Sequence, residues 1–303
     1  MSTHKVPSFS KYRVFGLLGF GITAIGFAPI LVKLATDASP YLVAMARTSL
    51  AFLLLVPFHF LKKKTPERVI SVKEHISVAV AGILLGLHFI AWISSIYYTS
   101  IASASVLVTI HPILLILVER FFYHIRFKKT VWLGVFISFS GSVLIGYSDY
   151  DGNTIYANPL LGNLLAALAA VIFSIYFLIG NRVRQNRDWL AYVFPVYGYA
   201  ALTAIIAYIC LEGFTFQISG MVFLVCLGLA IGPQIAGHGS LNYAVKYISP
   251  TFLSTLILFE PALSSVLAFF FFKEVPLPLS LVGMVVVLGG IILTWTRQSS
   301  PKN

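Results

Sequence analysis

Residues 102–115 read ASASVLVTIHPILL, and residues 251–264 read TFLSTLILFEPALS. Each stretch sets an ionisable residue, His111 or Glu260, directly before a proline inside a long apolar run. Gly134 and Gly141 follow the first copy, and Gly283 and Gly290 follow the second. Proline and both glycines recur at one offset of 149 residues, close to half of the 303-residue chain. A constant offset across three landmarks marks an internal duplication, with halves at about 1–148 and 149–303.

Apolar residues make up 58% of the chain and charged ones 10%, against about 25% charged in an ordinary soluble domain. The mean hydropathy of +0.91 excludes a soluble surface. The net charge of +11 is scattered in short clusters between apolar runs, so it forms no stripe for nucleic acid. Cys210 and Cys226 lie in apolar runs and read as buried small hydrophobes. The first apolar run is longer than a signal core and reads as a retained helix.

A membrane-spanning helix needs roughly 20 apolar residues. Ten candidates are present, at about 14–34, 40–61, 76–98, 102–122, 130–147, 159–180, 190–211, 218–243, 250–272 and 277–296. Alternate loops collect 18 of the 21 basic residues, including Lys62–Lys64, Lys128, Lys129, Arg182, Arg184 and Arg187. The opposite loops hold only Lys33 and Lys273, beside acidic residues such as Asp37 and Glu274. Positive charge stays on the cytoplasmic side, so the expected chain is an all-α membrane protein of ten transmembrane helices with both termini cytoplasmic. Five spans per half make the second half enter the membrane upside down. Two inverted five-helix repeats place a site at their interface near mid-membrane, as in secondary transporters.

The chain resembles the drug/metabolite transporter superfamily, and within it the ten-helix EamA-type family. Ala44-x-x-Arg47 followed by Ala51, Phe52 and Leu53 carries the resemblance in the second span. Gly237-His238-Gly239-Ser240-Leu241-Asn242-Tyr243-Ala244, Glu260-Pro261 with Glu274, and Gly283 with Gly289-Gly290 carry it in the last three. The first half departs from the pattern, because Ile125 stands where a match for Glu274 would fall. The resemblance implies a central cavity lined by spans 1, 3, 4, 6, 8 and 9, with spans 5 and 10 peripheral. It also implies export or exchange of amino acids, other small metabolites or cationic drugs.

An ionisable side chain inside a bilayer is costly and is a functional candidate by default. Glu260 qualifies, and the proline after it removes the helical partner of the Ile257 carbonyl. That carboxyl is a candidate for binding a proton, a cation or an amine, or for pinning a kink. His111 holds the equivalent place. Gln234, His238 and Asn242, at i, i+4 and i+8, form one polar stripe, and His88 with Trp92 forms a similar one in the third span. Such stripes face protein or water. Arg47 is a candidate for an anionic substrate group or for a structural pair. Phe27, Trp92, Tyr98, Phe173 and Tyr176 are the aromatic candidates for stacking or cation–π contact. Gly134, Gly141, Gly283, Gly289 and Gly290 permit close helix packing. No Walker A loop and no metal-ligand spacing is present, so neither cofactor nor metal is expected.

The expected function is a secondary transporter, exporting or exchanging a small-molecule substrate across a bacterial cytoplasmic (inner) membrane by alternating access. Amino acids and amphiphilic organic cations are the substrate classes, and protons the candidate coupling ion. The bilayer is the other partner. The oligomeric state is open. Two competitors are an integral-membrane enzyme using His88, His111, His238 and Glu260, and a non-transporting receptor or scaffold.

Overall fold

A computed structural model describes residues 11–62, 71–122, 124, 127–151, 156–215 and 217–295. Every regular element among them is a helix. The first six expected spans form four continuous helices and two broken ones: α1 (Lys11–Gly26) with α2 (Ala28–Leu34), α3 (Pro40–Leu61), α4 (Val72–Tyr98), α5 (Ile101–Val108) with α6 (His111–Phe122), α7 (Lys129–Asp151) and α8 (Pro159–Arg184). After them come α9 (Trp189–Glu212), then α10 (Gly220–Leu229), a π-helical stretch Ala230–His238 and α11 (Gly239–Ala244). The chain closes with α12 (Pro250–Leu256), α13 (Phe259–Phe272) and α14 (Pro278–Trp295). Among the described residues, seven helical regions are long and apolar enough to cross a membrane, among them Tyr12–Leu34, Ile101–Phe122 and Gly220–Ala244. Lys129–Ile145, Phe259–Phe272 and Pro278–Leu293 are shorter apolar helices. Ile125, compared above with Glu274, lies outside the described residues.

Helix starts follow local chemistry. The side chains of Ser39, Ser71, Ser100, Asn158 and Ser219 accept from the backbone N–H three residues on. Each satisfies one of the donors a helix leaves open at its N-terminus. Pro40 and Pro159 occupy the first turn, where a missing N–H costs nothing.

The expected glycine packing is found between α7 and α14. A Cβ on Gly141 would come within 2.8 Å of the Gly283 carbonyl, and one on Gly290 within 2.7 Å of the Gly134 carbonyl. Ser138 donates to the Val287 carbonyl at 3.0 Å between them. Rising numbers on one helix meet falling numbers on the other, so the two run antiparallel. Gly289 has no neighbour where a Cβ would stand, so close packing does not explain it. Cys226 is buried as expected, whereas Cys210 is exposed on an outward face of α9.

The four interruptions sit at prolines. Pro29, Pro112, Pro233 and Pro261 each lack the N–H that an uninterrupted helix needs. The freed carbonyl of Val108 accepts from Nδ1 of His111 at 3.2 Å. The carbonyl of Ile257 is not open, contrary to expectation, because the Glu260 backbone N–H donates to it at 2.8 Å. A tightened turn has closed it.

Candidate functional site

The breaks converge. Ile25 and Ala28 flank the first, Val108, Thr109 and His111 the second, Pro233 and His238 belong to the third, and Ile257 and Glu260 to the fourth. All line one cavity of about 40 Å³. Arg47, His88, Phe89, Trp92, Phe173 and Leu241 complete its wall. At ~10–15 Å³ for one water, it has room for about three waters. The second span therefore reaches the cavity through Arg47, although the family pattern left it out. α7 and α14 contribute nothing to it.

Arg47 is 1% exposed. Its Nε donates to Oε1 of Gln234 at 3.1 Å, and its guanidinium lies 4.0 Å above the Phe89 ring. Trp92 is 5.9 Å away on the same terms. Among the described residues, no atom accepts from Nη1 or Nη2. His88 donates from Nδ1 to the Ala169 carbonyl at 2.9 Å, since a carbonyl can only accept. Phe173 stands among the three imidazoles, 5.1 Å from His88, 5.0 Å from His111 and 5.8 Å from His238 between ring centres. Nε2 of His111 and Nδ1 of His238 have no partner among the described residues. Glu260 is buried, at 4% exposure.

Arg47, His88, Trp92, His111, His238 and Glu260 thus meet at one cavity, with Gln234 bonded to Arg47. Asn242 and Tyr176 do not line it. They pair with each other, Tyr176 donating to Oδ1 of Asn242 at 2.8 Å. Phe27 is 39% exposed and points away. Phe89 and Thr109 are wall residues that the sequence did not single out. Phe89 follows His88 directly, and only the structure shows both side chains turned inward. Among the described residues, no three of His, Cys, Asp and Glu are grouped closely enough to hold a metal ion.

Polar contacts close both ends of the bundle. At one end Glu274 joins three elements. Its Oε1 accepts from the Ile101 backbone N–H at 2.6 Å, at the start of α5, and its Oε2 pairs with Lys33 of α2 at 3.4 Å. Lys33 also lies 4.7 Å over the Tyr156 ring. Lys273, left-handed at φ 57°, ends α13 and turns the chain so that the Glu274 N–H reaches the Ala268 carbonyl. At the other end Arg187 pairs with Glu74 at 3.0 Å and Lys62 with Asp188 at 3.0 Å. The hydrogen bond from Lys62 holds the Asp188 carboxyl below its usual range. Arg184, expected at a charged surface, is buried instead. It donates to the Asn242 carbonyl at 2.8 Å and to the Arg187 carbonyl, which ties α8 to α11.

A multi-helix membrane protein with a polar cavity at its helix breaks belongs to the architecture of membrane transporters. The chain belongs to the EamA-like transporter family, whose pattern matches residues 14–147 and again residues 160–296. It is 30% identical over 196 residues to the uncharacterised transporter YdfC of Bacillus subtilis, a match covering 64% of this chain and 62% of that protein. It is 23% identical over 278 residues to an uncharacterised transporter of Archaeoglobus fulgidus, covering 89% of this chain and 92% of that one. A solved structure titled only "Crystal structure of protein" superposes with a TM-score of 0.66 at 19% identity, over 96% of this chain and all of that one. That likeness concerns the fold. The protein is a multi-pass protein of the cell membrane.

Proposed function

We propose that the protein is a secondary transporter that exports or exchanges small amphiphilic metabolites, amino acids or organic cations, by alternating access. The carrying observation is one cavity, walled by Arg47, His88, His111, His238 and Glu260, at four helix breaks, with ion pairs at each end of the bundle. Broken helices supply side chains and loosened backbone at mid-membrane depth, which suits a site opened in turn to either side. The reading includes ten crossings, both termini cytoplasmic, and two halves, 1–148 and 149–303, in inverted orientation. The antiparallel α7 and α14 pair supports the inversion, because each glycine of one half meets the equivalent of the other glycine: Gly141 meets Gly283 and Gly134 meets Gly290, a crossed pairing that a twofold exchange of the halves produces. On this orientation the Glu274 contacts close the outer side and Arg187–Glu74 the inner. Glu260 or a cavity histidine is the proposed proton carrier. Flux in proteoliposomes, across a broad metabolite panel with and without a pH gradient, tests it. Substrate-dependent flux is expected, and none across the panel overturns the reading.

A further inference from the structure

A second concavity opens on the outside of the bundle, where α1 and α9 begin and α3 and α11 finish. It holds about 610 Å³, within the ~300–1,000 Å³ of small-molecule sites. Its wall changes character with depth. Arg13, Lys62, Asp188, Trp189 and Tyr243 stand at the rim, at the four helix ends. Leu17, Phe20 and Ile235 line the part nearer the middle of the bundle. Phe20 follows Arg13 along α1 by seven residues, which places it about 10 Å deeper. Leu17 is 40% exposed and Phe20 68%, so the slot is open along its side to the acyl chains of the bilayer.

The charges at the rim do not balance. Lys62 pairs with Asp188 at 3.0 Å, but the two side chains are 41% and 66% exposed, and such surface pairs hold weakly. Lys246 and Arg184 add to the positive field at Asp188. Arg13 has no carboxylate partner among the described residues, and its guanidinium lies 5.8 Å over the Tyr243 ring. A guanidinium and an ammonium are the side-chain groups that hold phosphate oxygens. Trp and Tyr favour headgroup depth, and basic pockets between spanning helices suit anionic headgroups. We infer that this slot binds one anionic phospholipid, its phosphate held by Arg13 and Lys62 and an acyl chain laid along Leu17, Phe20 and Ile235. A zwitterionic lipid brings its own cation to the rim, where Arg13 opposes it. A free anion leaves the apolar length of the slot unfilled. The wall behind the lipid is shared with the central cavity. Ile235, Ala236, Gly239 and Ser240 face the slot, while Pro233, His238 and Leu241 of the same segment face the cavity. A bound lipid therefore braces that segment from outside, beside the hydrogen bond from Trp189 Nε1 to the Gly239 carbonyl at 2.7 Å.

The test uses the full chain, delipidated in a neutral detergent, with dioleoyl-phosphatidylglycerol, dioleoyl-phosphatidylcholine, dioleoylglycerol or inorganic phosphate added. Native mass spectrometry counts bound lipid, and thermal melting reads the stabilisation. Phosphatidylglycerol is expected to bind as one saturable copy, at least tenfold tighter than phosphatidylcholine, and to raise the midpoint more than any of the other three. Arg13→Gln with Lys62→Gln should cut that preference to less than threefold. Lys128→Gln with Lys129→Gln removes equal charge at the same end of the bundle, on α7 and away from the slot, and should leave the preference intact. Equal binding of the two phospholipids, stabilisation by phosphate alone that matches phosphatidylglycerol, or equal losses in the two double variants overturns the lipid site. Binding is read without flux, so a failure here leaves transport standing, and an absence of flux leaves the lipid site standing.

Discussion

At position 47 a guanidinium is held from bulk water with two nitrogens that have no acceptor among the described residues. Removing one partner of a buried polar pair costs more than the pair itself is worth. Replacing both members of a buried polar pair by apolar groups of similar shape is often neutral or stabilising. Arg47→Met with Gln234→Leu is therefore expected to leave the thermal midpoint of the ligand-free protein unchanged or raised, and to abolish ligand-induced stabilisation. A fall in stability of more than about 3 kcal/mol would show that Arg47 holds the fold. The candidacy of Arg47, His88, His111, His238 and Glu260 was legible in the sequence, because charge and imidazole stand out in apolar runs. The inward turn of Phe89 was not, since an aromatic in such a run looks the same whether it faces ligand, protein or lipid.

Among elements, the prolines and glycines make separable predictions. Pro261 removes one helical hydrogen bond and breaks the ninth span between α12 and α13. Pro261→Ala should restore that bond, raise stability by about 1–3 kcal/mol on denaturation and slow flux by straightening the site. A faster transporter would refute the hinge role. Gly290→Ala presses a Cβ against the backbone of Gly134 and Ser138, which cannot yield as a flexible side chain would. It should cost about 1–3 kcal/mol, whereas Gly289→Ala next to it meets nothing and should be neutral or slightly stabilising. Thermal melts of the two variants side by side measure this. The sequence singled out both glycines alike. Spacing alone cannot say which side of α14 faces α7. The same limit left the Ile257 carbonyl misjudged, because a tightened turn depends on backbone angles rather than residue types.

Across the whole molecule, the contacts that close the ends join residues far apart in the chain. Lys33 meets Glu274 across 241 residues, and the Ile101 amide meets it across 173. No local pattern predicts such pairs, which is why the sequence marked Glu274 as a family feature without a role. One carboxylate there binds α2 to α5 at the turn ending α13, and all three helices adjoin the cavity's breaks. Glu274→Ala is expected to release that end. With Thr109→Cys as a reporter and both native cysteines replaced, external thiol labelling should accelerate at least tenfold. Glu74→Gln, at the far end, should leave it unchanged. Equal rates in both would mean that Glu274 closes nothing.

The π-helical turns of Ala230–His238 have a geometric consequence for the segment after them. They hold extra residues in the length of an α-helix, and each one restored to α-helical winding would turn everything beyond by about 100°. At the present setting Asn242 meets Tyr176, and Ser240 faces Gly21 of α1. A change of winding would exchange those neighbours as a set, without bending the span. The winding of this stretch thus fixes which side chains of α11 face the two helices beside it.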